Sequence, residues 1–457
     1  MNISGNVHPT DTALFKGLTC TEEMRAIFNE DALLQSWMDV EAALAEAQAD
    51  LGMIPADSAK AIREKAVAEL IDVEKVKEHG KKTAHTLMGL LTEYRTLLPE
   101  EARTYLHNGA TTQDIIDSGT MLSVQQAHAV IEKQLTDLIS VSTKLMNKHR
   151  DTIMVARSHG NHALPFTFGL KMAGWVDEMS RNLERWQQMK KRCMVGNMSG
   201  AIGTYAAWGD KGLDVQDKTC KILGLETPTT WWHNQRDRLA ELCYGLSLMA
   251  GTSSRIAQEV YVSSMTEIGE LAEGYTKGMV GSSTMPHKLN PIVSEWVCSL
   301  SKIVRGNADV MAELMSPLNE RDGSSWRAEW IKLPETFIMA SAMLAHLTKI
   351  ISNLQVNEQR MMDNVNRLKG VLLSENAMFV LSKAMPLADA HHVVHEISLE
   401  ALAQDRPLLD LLMENETVAG VCEREEMAAA LNPENYLGQS GAVVDLVDAQ
   451  VSEMIKG

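Results

Sequence analysis

The sequence predicts an all-α protein built on long helices, and three observations carry that prediction. Leu33, Trp37, Val40, Leu44, Ala47 and Leu51 recur at three- and four-residue steps, the spacing of one helix face, and Gly52 follows as a stop. Val124, Ala127, Ile131, Leu135, Leu138, Val141 and Leu145 repeat the pattern, with no Gly or Pro anywhere in residues 120–150. Thirty uninterrupted helical residues would span about 45 Å at 1.5 Å per residue. Strand alternation is confined to short pieces.

Further long helical segments are expected from about Thr167 to Met194 and from about Asp237 to Ala272. Another opens at Pro291, a good first-turn residue, and reaches about Met315. Helices of this length fit an elongated bundle that buries one face against its own chain and another against neighbours. The expected division is a helical N-terminal domain over 1–108, a central long-helix bundle over 109–355 and a helical C-terminal domain over 356–457.

Composition narrows the function. Of 457 residues, 45% are hydrophobic and 23% charged, as in ordinary globular chains, which rules out a disordered or fibrous protein. No uncharged apolar run approaches the 18 or so residues of a membrane span. The opening Met1-Asn-Ile-Ser-Gly-Asn6 lacks the basic and apolar regions of an export signal. A net charge of −17 disfavours nucleic acid and anionic membranes as partners, while leaving room for a locally basic site. The six cysteines (20, 193, 220, 243, 298 and 422) form no CxxC pair, which points to reduced thiols and a cytoplasmic home. Zinc spacing and a phosphate loop are both absent, so neither metal nor cofactor is expected.

Three segments stand out from the helical background. Residues 281–291 read Gly-Ser-Ser-Thr-Met-Pro-His-Lys-Leu-Asn-Pro, a hydroxyl-rich loop with a Lys and an Asn just before a helix N-terminus. Backbone N–H groups at such a place favour negative charge, so either an anion-binding loop or a plain linker fits. Residues 157–169, Arg-Ser-His-Gly-Asn-His-Ala-Leu-Pro-Phe-Thr-Phe-Gly, carry two histidines three apart. With no third ligand cluster in support, a general acid or base is the better assignment than a metal ligand. Residues 107–114, His-Asn-Gly-Ala-Thr-Thr-Gln-Asp, precede the longest helix, where Thr111 and Thr112 could clamp a carboxylate or simply cap the helix.

Together, in this chain order, the three segments resemble the fumarase/aspartase superfamily. Its members carry a Thr/Ser clamp, a His-bearing loop and a flexible GSSxMPxKxNP signature loop. The likeness covers nearly the whole chain. It implies a homotetramer whose central helices form a common core, with each active site built from three subunits. Two branches are represented. Ala84-His85, Arg157–Gly169 and Gly203-Thr-Tyr-Ala206 look like adenylosuccinate lyase. Ala110–Asp114, Trp232–Asp237, Trp326-Arg-Ala-Glu-Trp330 and Asn435–Asp445 look like 3-carboxy-cis,cis-muconate cycloisomerase. Adenylosuccinate lyases follow Glu-Arg-Asp with a Ser-Ser-Ala-Glu-Arg run that helps hold the nucleotide phosphate. Here Glu320-Arg321-Asp322 leads instead to Trp326 and Trp330, whose rings cannot replace a hydroxyl and a guanidinium. A purine nucleotide is therefore not the expected substrate.

The resemblance implies anti elimination across a succinyl unit, which needs a base, a charge stabiliser and an acid for the leaving group. It assigns Ser282 as base and His159 as acid. Lys288 and Asn290 would bind and polarise a carboxylate, with the N–H groups at the Pro291 helix start adding a favourable dipole. Glu295 would orient His159. His85 would lie on the leaving-group side. Thr111 and Thr112 would clamp the second carboxylate, with Ser283, Met285, Gln235, Arg321 and Arg327 as further substrate contacts. The expected activity is a fumarate-releasing lyase that cleaves C–N, C–S or C–O in a dicarboxylate-bearing substrate. The alternative is cycloisomerisation of a carboxymuconate, the same chemistry run as an intramolecular addition.

Overall fold

The computed structural model describes residues 8–274 and 281–456. The opening six residues, on which the absence of an export signal was read, lie outside them. The chain divides into two compact units, each assembled from three separated stretches. Unit 1 comprises residues 1–135, 182–251 and 299–345, and unit 2 comprises 136–181, 252–298 and 346–457. The all-α expectation holds, since strands are few and short.

Eight helices carry the cores and most of the site: α1 (Glu30–Asp50), α2 (Thr86–Leu97), α3 (Thr112–Lys148), α4 (Phe168–Cys193), α5 (Asp237–Ser263), α6 (Ile292–Glu313), α7 (Gly323–Ser352) and α8 (Leu387–Gln404). Helix starts have local causes. The Asn29 side chain accepts the Ala32 N–H at 2.8 Å and opens α1. The Asp322 carboxylate accepts the Ser324 N–H at 2.8 Å and opens α7. Helix α3 has 37 residues, longer than the uninterrupted 30 suggested, because Gly119 sits inside it. A Cβ at Gly119 would lie 2.7 Å from Trp37 Cδ1, so the glycine is what allows α1 to approach.

The core of unit 1 gathers Trp37, Leu44, Leu90, Leu91, Tyr94, Ile115 and Trp208 between α1, α2 and the start of α3. In unit 2 one cluster, including Ala377, Leu381, Val394 and Leu412, packs around α8. A smaller cluster sets Val155 against Val365, Leu372 and Leu373.

Two expectations of secondary structure need correction. The segment 157–169 is not a loop but most of a two-stranded antiparallel hairpin, β1 (Ile153–Ser158) and β2 (Asn161–Thr167). Strands this short, one with a proline, leave almost no alternation to read. The helix expected to reach Ala272 stops at Ser263, and β3 (Leu271–Ala272) pairs with β4 (Gln355–Val356) instead. Beside this pair the Glu270 carboxylate, fully buried, is drawn to Arg157 by two bonds of 2.7 and 2.8 Å and to Asn364 by one of 2.8 Å.

None of the six cysteines forms a disulfide, and five of them are buried. Burial pushes the Cys20 thiol up to about 11 and those of Cys220 and Cys243 up to about 12, and it raises Cys193 and Cys422 as well. Among the described residues, no helix is long and apolar enough to cross a membrane.

Candidate active site

In unit 1 the key element is the turn into α3. The Asp114 carboxylate, fully buried, accepts the N–H groups of Thr111 at 3.0 Å, Ser199 at 3.1 Å and Gly200 at 2.9 Å. It also meets Nε2 of the buried His233 at 2.9 Å. This reciprocal cap fixes the turn without using the threonine hydroxyls. Both hydroxyls go elsewhere: Arg321 donates from Nη1 to Thr111 Oγ1 at 2.7 Å and from Nη2 to Thr112 Oγ1 at 3.0 Å. A guanidinium only donates, so each hydroxyl serves it as acceptor and keeps its own proton free to give. The three groups thus form a donor-rich corner, suited to a carboxylate. Arg321 also lies 5.6 Å over the Trp326 ring. Burial takes this cation partly out of water and lowers its pKa.

His85 stands just before α2. Its pKa is held below the ordinary value, first by burial and then by the positive charges of Arg321 and Arg327. Arg327 is exposed and reaches the Gly323 carbonyl on its own helix at 3.2 Å. Gln235 is exposed, on a turn that Asn234 ties to the Asn319 carbonyl at 2.7 Å, two residues before Arg321. Unit 1 therefore brings together Thr111, Thr112 and Arg321, with His85 and Arg327 within reach of their charge.

Unit 2 carries the rest. His159 is at the tip of the hairpin, exposed, with φ 53°, followed by Gly160 with φ 81°. Two left-handed residues in a two-residue loop make a type I′ turn, and His is one of the few side chains that adopts the left-handed region readily. In the signature loop, Ser282 Oγ accepts the Met285 N–H at 3.0 Å and the Thr284 N–H at 3.4 Å. Two amide dipoles aimed at that oxygen favour its deprotonated form. The loop returns on itself, the Asn290 N–H meeting the Gly281 carbonyl at 3.4 Å. A Cβ at Gly281 would lie 2.5 Å from the Lys288 carbonyl. Ser283, Met285 and Lys288 are exposed on this loop, and Asn290 is half-buried.

The helix start after Pro291 corrects a further expectation, because it is not open to a ligand. The Glu273 carboxylate takes the N–H groups of Val293 at 3.1 Å and Ser294 at 2.5 Å, so the expected dipole contribution goes to Glu273. Glu295 is exposed on the first turn of α6. Among the described residues, no hydrogen bond or ion pair joins it to His159. Sequence reasoning named the Asp114 motif but missed its task. The signal was present: an acid three residues after Thr111 is a capping pattern.

The chain is similar to known proteins over most of its length. A family model described as "Lyase" matches residues 19–306, and one described as "Adenylosuccinate lyase C-terminus" matches 370–447. The N-acetyl-S-(2-succino)cysteine lyase of Enterococcus italicus is 38% identical, over 96% of either chain. The adenylosuccinate lyase of Pyrococcus abyssi is also 38% identical, over 98% of either chain.

The chain belongs to the fumarase/aspartase superfamily of lyases.

Within the superfamily, the crystal structure of the 3-carboxy-cis,cis-muconate lactonizing enzyme from Pseudomonas putida superimposes with a TM-score of 0.91. It is 31% identical and covers 97% of this chain and all of that one. This superfamily member is thus a lyase with full-length likeness to both branches.

Proposed function

We propose that the protein releases fumarate from a small succinyl adduct, breaking the bond between the succinyl carbon and a sulfur or nitrogen leaving atom. The observation that carries this is the donor-rich corner of Arg321, Thr111 and Thr112, which would supply one carboxylate site. Ser282 Oγ, as the alkoxide that the Thr284 and Met285 N–H groups favour, takes the proton from the carbon beside the other carboxylate. Lys288 and Asn290 hold the negative charge that develops there. The electron pair then forms the double bond as the carbon–sulfur or carbon–nitrogen bond breaks, and His159 gives the leaving atom its proton. Sulfur is favoured by the full-length likeness to a succinylcysteine lyase, and a nucleotide is disfavoured by Trp326 and Trp330.

From the likeness to this superfamily we assign complete sites to a homotetramer, with Glu295 serving a His159 of another subunit. Exposed Tyr244 and Leu248 on α5 and Ile303 and Val310 on α6 support such association. The assembly would work in the cytoplasm.

A cycloisomerase is the second reading, favoured by the Trp326–Trp330 segment and the lactonizing-enzyme likeness. One assay separates the two. The protein is incubated with S-succinyl thiols, N-succinyl amines and 3-carboxymuconate, and ultraviolet absorbance is followed. Fumarate from an adduct is expected; loss of the diene without fumarate would establish the cycloisomerase. Ser282→Ala should lower kcat at least about a thousandfold with assembly intact by sedimentation. Near-normal turnover would remove Ser282 from the base position.

A further inference from the structure

Unit 1 contains a cavity of about 330 Å³ whose lining includes Thr86 and Trp330. That is within the range of small-ligand pockets, about 300–1,000 Å³. Its walls are mostly apolar, with Phe28, Leu33, Trp37, Trp330 and Leu333 among them. Two features tie it to the corner. Thr86, on its rim, follows His85 directly. Trp330 packs edge-on against Trp326 at 4.8 Å, the ring on which Arg321 rests.

The charged groups at the cavity are already spent. Arg236 is buried and uses all five of its N–H groups. Nε donates to Glu329 at 2.8 Å. Nη1 donates to Asp117 at 2.8 Å and to the Trp232 carbonyl at 3.3 Å. Nη2 donates to Asp117 at 3.2 Å and to Glu329 at 2.5 Å. One cation faces two carboxylates, so the cluster cannot neutralise an incoming anion and has no guanidinium N–H to offer it. Asp117 is further engaged by Trp326 Nε1 at 2.9 Å. A phosphate placed here would meet excess negative charge and aromatic faces. An alkyl or aryl group would lose only water.

We propose that this cavity binds an uncharged apolar substituent on the leaving group, and that Trp330 and Leu33 set the preference for such capped adducts. This rests on the lyase reaction proposed above. A substrate carboxylate at Arg321 would leave the remainder of the adduct to follow Trp326 and Trp330 toward the cavity. Trp330 and Leu33 suit the entrance, being 41% and 40% exposed while the deeper Trp37 is 5% exposed.

The test uses the full-length protein and S-succinylcysteamine whose amine carries an acetyl, butanoyl, hexanoyl or benzoyl cap, or a phosphorylated one. In the wild type, kcat/KM for fumarate release should rise about fourfold per added methylene from acetyl to hexanoyl, with the phosphorylated adduct poorest. Trp330→Arg and Leu33→Glu, both at partly exposed positions, should flatten the series to within about threefold. A flat wild-type series, or variants that keep its slope, would overturn the proposal. Binding of the N-hexanoylcysteamine product, followed by tryptophan fluorescence, judges the cavity separately from turnover. Saturable binding lost in Leu33→Glu supports it even if no adduct yields fumarate, a result that would sink the lyase reaction alone. No binding together with a flat series would sink the cavity assignment alone.

Discussion

His85 shows how neighbours set a residue's chemistry. Burial and the charges of Arg321 and Arg327 all disfavour its protonated form, so its folded pKa is below the ordinary 6.5. What the neutral imidazole contributes is therefore present above pH 6.5 and is lost as pH falls through the folded value. The acid limb of kcat/KM assigned to His85 should accordingly lie below pH 6.5. Arg327→Gln should move that limb upward, and a pH–rate profile unchanged by Arg327→Gln would show that its charge does not act there. At this scale the sequence was readable by type but not by partner. Thr111 and Thr112 read as a carboxylate clamp or a helix cap. Their brace, Arg321, is 210 residues away, and no local pattern reports such a pairing. Glu273 was invisible for the same reason: only the folded chain brings it to the N–H groups that α6 leaves open.

Elements were legible in proportion to their length. The apolar stripes of α3 and α4 gave those helices to within a turn or so at most ends, since each repeats its signal many times. The hairpin was missed because its turn is written His159-Gly160 rather than Asn-Gly, and two short strands offer few repeats to count. Gly119 illustrates a constraint that spacing alone does not reveal. A glycine inside a helix ordinarily costs about 1 kcal/mol against alanine. Here the missing side chain makes room for Trp37, so the usual gain on replacement should reverse. Gly119→Val is expected to destabilise by about 1–3 kcal/mol in urea unfolding, as overpacking does. A variant as stable as the wild type would show that α1 and α3 can part without cost.

On the scale of the whole molecule, the long helices were foreseen, but not how the chain is shared between compact units. Both units draw on stretches from widely separated parts of the sequence, and contact between such stretches leaves no mark on composition. Chemical consequences also reach across the molecule. Fumarate, the proposed product, is an electrophile that thiolates attack at the double bond, capping cysteine irreversibly. An enzyme that makes it works in its own poison. The thiols of Cys20, Cys193, Cys220, Cys243 and Cys422 are kept protonated, and so unreactive, by the burial that packs them. Native protein held in concentrated fumarate should keep these five unmodified by peptide mass spectrometry, whereas urea-unfolded protein should be succinated at all of them. Modification of the native five at the unfolded rate would refute such protection. Hydrophobic packing, chosen for stability, would then double as immunity to self-inactivation.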